Sequence, residues 1–260
     1  SLQLYAQGGT LAVNGALTTT NAGLISLTGT DITQAALIRP RGAGATSGGS
    51  VSLTATGVTG AITQSTGGRI VADSLSLNAN GGVNLTAGIG IGTTAGLGPG
   101  DAGNPALWNT IGSIVASTIG DFRLLNVGDL LFQGSAFNSA AGGTVAIVTR
   151  GRLTVGDFSS IIAEAISVGA GGGVTVNGVL GNAGLTTRLD MTTSPGGTIV
   201  QGAGGSVGTN TLRILAAGDV DLSGTGNTIS NLAAAALAAD VGINVRSNVG
   251  LTTVSAAAPN

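Results

Sequence analysis

The sequence predicts an all-β fold, a right-handed parallel β-helix (β-solenoid) of about eleven coils of ~23 residues each. Three observations predict it. A two-armed apolar motif recurs along the whole chain. Its arms alternate apolar and polar residues at period two, with a glycine at the bend between them. Chemistry-bearing residues are scarce, with 20 charged residues among 260, 48 glycines, six aromatics, and neither histidine nor cysteine.

The motif reads apolar-x-apolar-x-small-x-Gly-x-apolar-x-apolar. It fits Phe122 to Phe132 with Asn126 and Gly128 in the middle, and Val145, Ile147, Thr149, Gly151, Leu153, Val155. Ile166, Val168, Ala170, Gly172, Val174, Val176 fit it too, as do Leu212, Ile214, Ala216, Gly218, Val220, Leu222 and Leu75, Leu77, Ala79, Gly81, Val83, Leu85. Looser copies begin at Leu2, Ile25, Val51 and Leu189, and a last one spans Val241 to Leu251. Most starts fall one coil length apart. The gap from Leu75 to Phe122 is close to two coil lengths and leaves room for one degenerate copy near residue 98. Independently, residues 60–85 align with 197–222 without a gap, pairing Ile62 with Ile199, Gln64 with Gln201, Gly68 with Gly205 and Leu77 with Ile214. A less regular third face runs through Ile62, Ile70, Ile111, Ile114, Ile199, Val207 and Ile229.

One strand pair cannot bury its apolar side alone, but coils stacked at about 4.8 Å cover one another and exchange their backbone hydrogen bonds. Eleven coils make a rod roughly 50 Å long. Val, Ile and Leu supply the inward positions, and few aromatics fit because each cross-section must nearly repeat the last. We read residues 1–260 as a single solenoid segment with two interruptions. Residues 87–110 are glycine-rich, contain Trp108 and read as an irregular coil or protruding loop. Residues 223–240 lengthen one coil, and their Ala/Leu run reads as a short helical stretch capped by Ser230 or Asn231. Stacking further predicts two exposed ion pairs on the outside, Asp129 over Arg152 and Asp190 over Arg213.

Composition excludes several function classes. A net charge of −2 with no basic cluster argues against a nucleic-acid partner. The longest apolar run, Leu232 to Ala239, is too short for a membrane helix. Six aromatics do not supply the girdles of a membrane barrel. The chain opens in mid-pattern with SLQLYAQGG and reads as a mature fragment without a signal peptide. Nothing points to a catalytic residue, cofactor or metal. Asp219 and Asp221, at i and i+2, are the best carboxylate pair, either an acid/base or calcium pair or, on the better reading, outward strand positions. Glu164 reads as a solvated turn residue. GIGIGTTA, residues 88–95, resembles a dinucleotide loop but lacks the helix that must follow it. Trp108 reads as folded back over the odd coil rather than as a sugar platform. Thr154, Thr175 and Thr198 form a short threonine column that β-propensity explains better than ice binding.

GGSVSLTATG, AAGDVDLSGTGNTISNLAA and VGINVRSNVGLTTVS resemble the repeat region of large bacterial surface exoproteins, the filamentous-haemagglutinin-like and autotransporter-type adhesins. The resemblance spans nearly the whole chain. It implies a β-helical shaft exported to the cell surface or beyond, acting in adhesion, aggregation or matrix building, with no catalytic residue. Its implied partners are other protein chains or cell-surface or glycan receptors, with end-to-end or lateral self-association. A carbohydrate-binding or polysaccharide-cleaving β-helix is the alternative, and an ice-binding solenoid is a further one.

Overall fold

A computed structural model describes residues 1–40, 48–87 and 108–254. Strands wind into one parallel β-solenoid, and the described residues contain no helix. Its axis is drawn by a single column of paired residues in one sheet, here called B, facing inward up to the exposed last rung at Thr253. Leu11, Ile32, Ile62, Val83, Phe122, Val145, Ile166, Leu189, Leu212, Leu232 and Thr253 pair in that order, each with the next coil. A second sheet, A, runs Leu2, Ile25, Val51, Leu75, Ile114, Phe132, Val155, Val176. In the early coils a third sheet, C, stacks Leu17 on Ile38 and Leu37 on Arg69.

The alternation does what period two requires. In Leu24–Gly29 and Ser50–Ala55 every second residue is buried. Ile25, Leu27, Leu53, Ile62 and Leu75 are fully buried, and all join one continuous core. Each such side chain contributes roughly 1.5–3 kcal/mol by burial. The adjacent coil buries it, so no coil is stable without its neighbours.

The two ends of the solenoid carry the motif on different faces. In the early coils the first arm lies in sheet A and the second in sheet B: Leu75 pairs with Val51 and Ile114, Val83 with Ile62 and Phe122. From Phe122 onward the first arm lies in sheet B, where Phe122, Val145, Ile166, Leu189 and Leu212 follow one another. The second arm, Leu130, Leu153, Val174, Ile199 and Val220, forms its own column in sheet A. The repeat has moved on by one face.

The changeover is made by a shared strand. Ile114, Ala116, Thr118, Gly120, Phe122 and Leu124 form a further copy of the motif, overlapping the one that starts at Phe122, with all five side chains buried. Strand Phe122–Asn126 is both its second arm and the first arm of the copy ending at Phe132. Sheet B accepts this because it needs only inward apolar residues at Phe122 and Leu124, whichever copy supplies them. Leu75 pairs directly with Ile114 and Val83 directly with Phe122, so no rung of sheet A or B lies between them, and the degenerate copy expected near residue 98 lies outside the described residues. Long strands carry the faces through the change. Arg69–Ala79 and Thr110–Ile119 run across a corner without a break, and Leu130–Asn138 pairs with both Arg152–Val155 and Ser160–Ala163.

A hydrogen-bonded clip marks the same shift. At the corner between sheets B and C, Gln64 donates to Asn109 (2.9 Å) and accepts from its amide (3.2 Å). Asn109 also donates to the Leu85 carbonyl and accepts from the Ile70 N–H, and the Ala87 N–H donates to Gln64. The same five bonds recur one face on, inside sheet A. Gln201 and Asn227 exchange bonds of 2.9 and 2.8 Å, Asn227 binds the Leu222 carbonyl and Val207 N–H, and the Gly224 N–H donates to Gln201. The 60–85 and 197–222 match thus extends to Asn-Thr-Ile at 109–111 and 227–229. In the first copy the chain from Ala87 to Trp108 separates the halves of the clip. Most of the interruption predicted at 87–110, and the GIGIGTTA stretch with it, lies outside the described residues.

The second interruption is corrected. Thr228–Ala236 is a strand, paired parallel to Ser206–Ala216 from Thr228 through Ala236. Alanine favours helix by tenths of a kcal/mol, and a waiting row of ladder partners outweighs that. Ser230 and Asn231 are strand residues, not caps.

Candidate functional site

Most acidic side chains serve the corners. Where the chain bends, the ladder breaks and an N–H loses its carbonyl. Asp31 accepts from the Ala61 N–H (2.9 Å), Asp121 from Thr144 (2.9 Å), Asp129 from Arg152 (2.8 Å) and Asp219 from Gly242 (2.8 Å), each on a following coil. Asp73 takes the Gly48 N–H, and Glu164 takes that of Gly142 (2.7 Å). Asp221 accepts from the Ser223 N–H and the Asn244 amide, both at 3.2 Å. Asp219 and Asp221 therefore act as separate corner ties, and Glu164 is a clasp rather than a merely solvated turn residue.

Both predicted ion pairs are stacked in register but bonded differently. Leu130 pairs with Leu153, which sets Asp129 beside Arg152. The carboxylate takes the backbone N–H there, and the Arg152 guanidinium reaches Thr175 instead (3.3 Å). Asp190 pairs across the ladder with Arg213, yet its ion pair is with Arg188 on its own strand (2.8 Å). Asp190 and Arg213 are 5% and 7% exposed, so this is not the solvated pair expected. Burial raises the Asp190 carboxyl above its ordinary range. The hydrogen bond and charge of Arg188, and the charge of Arg213, pull the other way and only partly offset it.

The threonine column is shorter than the sequence suggests. Thr154 pairs with Thr175, but Thr175 pairs with Val200, and Thr198 faces Gly173. Two rungs do not make a flat threonine face.

Trp108 is fully buried. It packs with Leu125, Ala146 and Val148, backed by Val127. The Arg150 guanidinium lies 5.4 Å from its ring centroid, within reach of a cation–π attraction. Trp108 covers a small second core outside the solenoid and offers no platform. The signal for that core was present in FRLLN and TVAIV, where apolar residues lose their alternation, as strands covered on both faces do.

One hollow escaped the sequence reading. A cavity of about 350 Å³ lies where the chain turns between Arg152–Val155 and Ser160–Ala163. Asp157, Phe158, Ser160, Asn177, Val179 and Gly204 line it. Phe158 is wholly exposed and sits at φ 59°. Its turn closes with the Ser159 N–H on the Gly156 carbonyl (3.2 Å). Six other turns among the described residues close the same way, and three of them put a left-handed residue third: Gly68 on Ser65, Gly143 on Ala140 and Gly197 on Ser194. In those the third residue is glycine, at φ 90°, 78° and 80° for Gly67, Gly142 and Gly196. A residue with a Cβ in this region costs roughly 1–2 kcal/mol. A more open hollow of about 300 Å³ lies beside Thr63, Asn84, Asp121 and Arg123. There Asp121 is already engaged by Thr144, by Asn138 and, at 3.6 Å, by Arg123.

The fold places the chain in the class of parallel β-solenoids. No family model, curated protein or solved structure matches it. Among the described residues no helix is long and apolar enough to cross a membrane, and no group of three or more His, Cys, Asp or Glu is placed to hold a metal ion.

Proposed function

We propose that this chain is a segment of an extracellular, structural or adhesive β-helical shaft belonging to a large bacterial surface or secreted protein. One observation carries the reading: the unbroken column from Leu11 to Thr253, in which each coil is sealed by the next. Bending or cleaving such a rod requires breaking a coil's ladder and baring its core together, which makes it a stiff, protease-resistant spacer. The work is mechanical, without catalysis or cofactor, and the corner roles of most carboxylates support that. The placement outside a bacterial cell rests on the resemblance of the repeats. Partners are other chains or cell-surface receptors met at the corners, with end-to-end or lateral association of shafts.

Electron microscopy of the purified chain tests this. Rods roughly 50 Å or more in length, alone or joined into fibres, are the expected outcome. Round particles without a long axis overturn it.

A further inference from the structure

We propose that the corner at Asp157 and Phe158 binds a neutral sugar unit of a glycan. Several features of this corner converge. Phe158 presents its whole ring to solvent, in a left-handed backbone conformation that the three other turns sharing it give to glycine. Folding gains nothing from an aromatic there. The adjoining cavity holds about 350 Å³. That volume falls at the small-ligand end of binding pockets, which start at roughly 300 Å³. Asp157 is an exposed corner acid whose carboxylate clasps no N–H among the described residues, unlike Asp31, Asp121, Asp129 and Asp219. The Asn177 amide beside it makes no side-chain hydrogen bond among the described residues either. Gly204, two coils on from Asp157, closes the hollow; a Cβ there would meet the Asn177 carbonyl at 3.2 Å and come within 4.0 Å of an Asp157 carboxylate oxygen.

A pyranose fits these parts. Its apolar C–H face stacks on an aromatic ring, and its rim of hydroxyls donates to a carboxylate and both donates to and accepts from an amide. The lining holds one carboxylate and no arginine, which selects neutral sugars over uronic or sulfated ones. The hollow spans only two turns and a strand end, far short of the roughly 800 Å² per partner that a stable protein interface buries. This assignment deepens the shaft reading by naming its receptor class. It relies on that reading for its biological setting and not for its chemistry.

The test screens the whole chain on a printed array of neutral and acidic oligosaccharides. Titration with the strongest neutral glycan follows, against Phe158→Gly, Asp157→Asn and Gly204→Leu. Selective binding of neutral glycans is expected. Loss of roughly tenfold or more in Kd is expected for Phe158→Gly, with Tm unchanged or raised. A smaller loss is expected for Asp157→Asn, and blocked binding for Gly204→Leu. An array without neutral-glycan binding overturns the proposal, as does binding that survives Phe158→Gly. Sedimentation that shows Phe158-dependent dimers without glycan binding also overturns it, in favour of self-association. None of these outcomes bears on rod shape, so the site and the shaft can fail separately.

Discussion

Coils before Phe122 and coils after it use one motif on different faces. In the early coils its arms occupy sheets A and B; in the later coils they occupy B and A. The clip travels with it, from the B–C corner at Gln64 and Asn109 to the corner inside sheet A at Gln201 and Asn227. The comparison separates two things that repeats usually confound. A solenoid must preserve the coil's cross-section, because core side chains seal against the coils on either side. It need not preserve which stretch of the repeat forms which face. A repeat can slip past the coil wherever one strand satisfies two copies.

Phe122 is where that requirement is most exposed, and its removal gives the largest expected effect. Phe122 is fully buried between Val83 and Val145 and meets Phe132 edge-on, at 5.9 Å and 90°. Phe122→Ala should cost about 3–5 kcal/mol in urea denaturation, against about 2–3 kcal/mol for Val145→Ala in an ordinary coil of the same column. Hydrogen exchange should show protection falling on both sides of the shared strand. Equal costs would mean that the junction is no different from any other coil.

The two clips give the next effect. Asn109→Ala and Asn227→Ala each strip partners from a glutamine side chain (buried Gln64, half-buried Gln201), a backbone N–H and a carbonyl. Each should cost about 2–4 kcal/mol, and the two should agree within about 1 kcal/mol if the clips are equivalent. A clear excess at Asn109 would measure its extra bond to the Leu125 carbonyl (3.2 Å), which Asn227 lacks.

Asp190, which belongs to the later coils alone, gives the smallest effect. Its folded pKa lies above the unfolded value, so the folded state holds the proton more tightly. The stability this group contributes is complete below its ordinary value near 3.8 and is lost as pH rises through the raised folded pKa. Asp190→Asn should therefore melt above the wild type at neutral pH, with the difference vanishing in acid. A difference that grows on acidification would show that Arg188 and Arg213 outweigh burial.

Much of this was legible in particular residues. Strand alternation at Leu75–Leu77 and Val145–Ile147, and the match of Gln64 with Gln201, follow from local pattern. The copy from Ile114 to Leu124 was hidden because Ala116 and Thr118 are weak core letters and because it overlaps a stronger copy. The partners of Asp129 and Asp190 were also out of reach. Register predicts which residues stack, but a carboxylate chooses among a guanidinium, a backbone N–H and a neighbouring arginine by local geometry. Phe158 read as one aromatic in a turn, and only its φ and the hollow beside it set it apart.

By itself the sequence determined the solenoid and the inward set of side chains, because period-two alternation and a coil-length repeat are local and admit one economical way of burying apolar surface. Only the tertiary structure decided which face each arm occupies, that the Ala/Leu run at 232–236 is a strand and that Trp108 seals a second core. Those outcomes depend on what the neighbouring coil presents, and a periodic pattern is equally satisfied by any face until the stack chooses one.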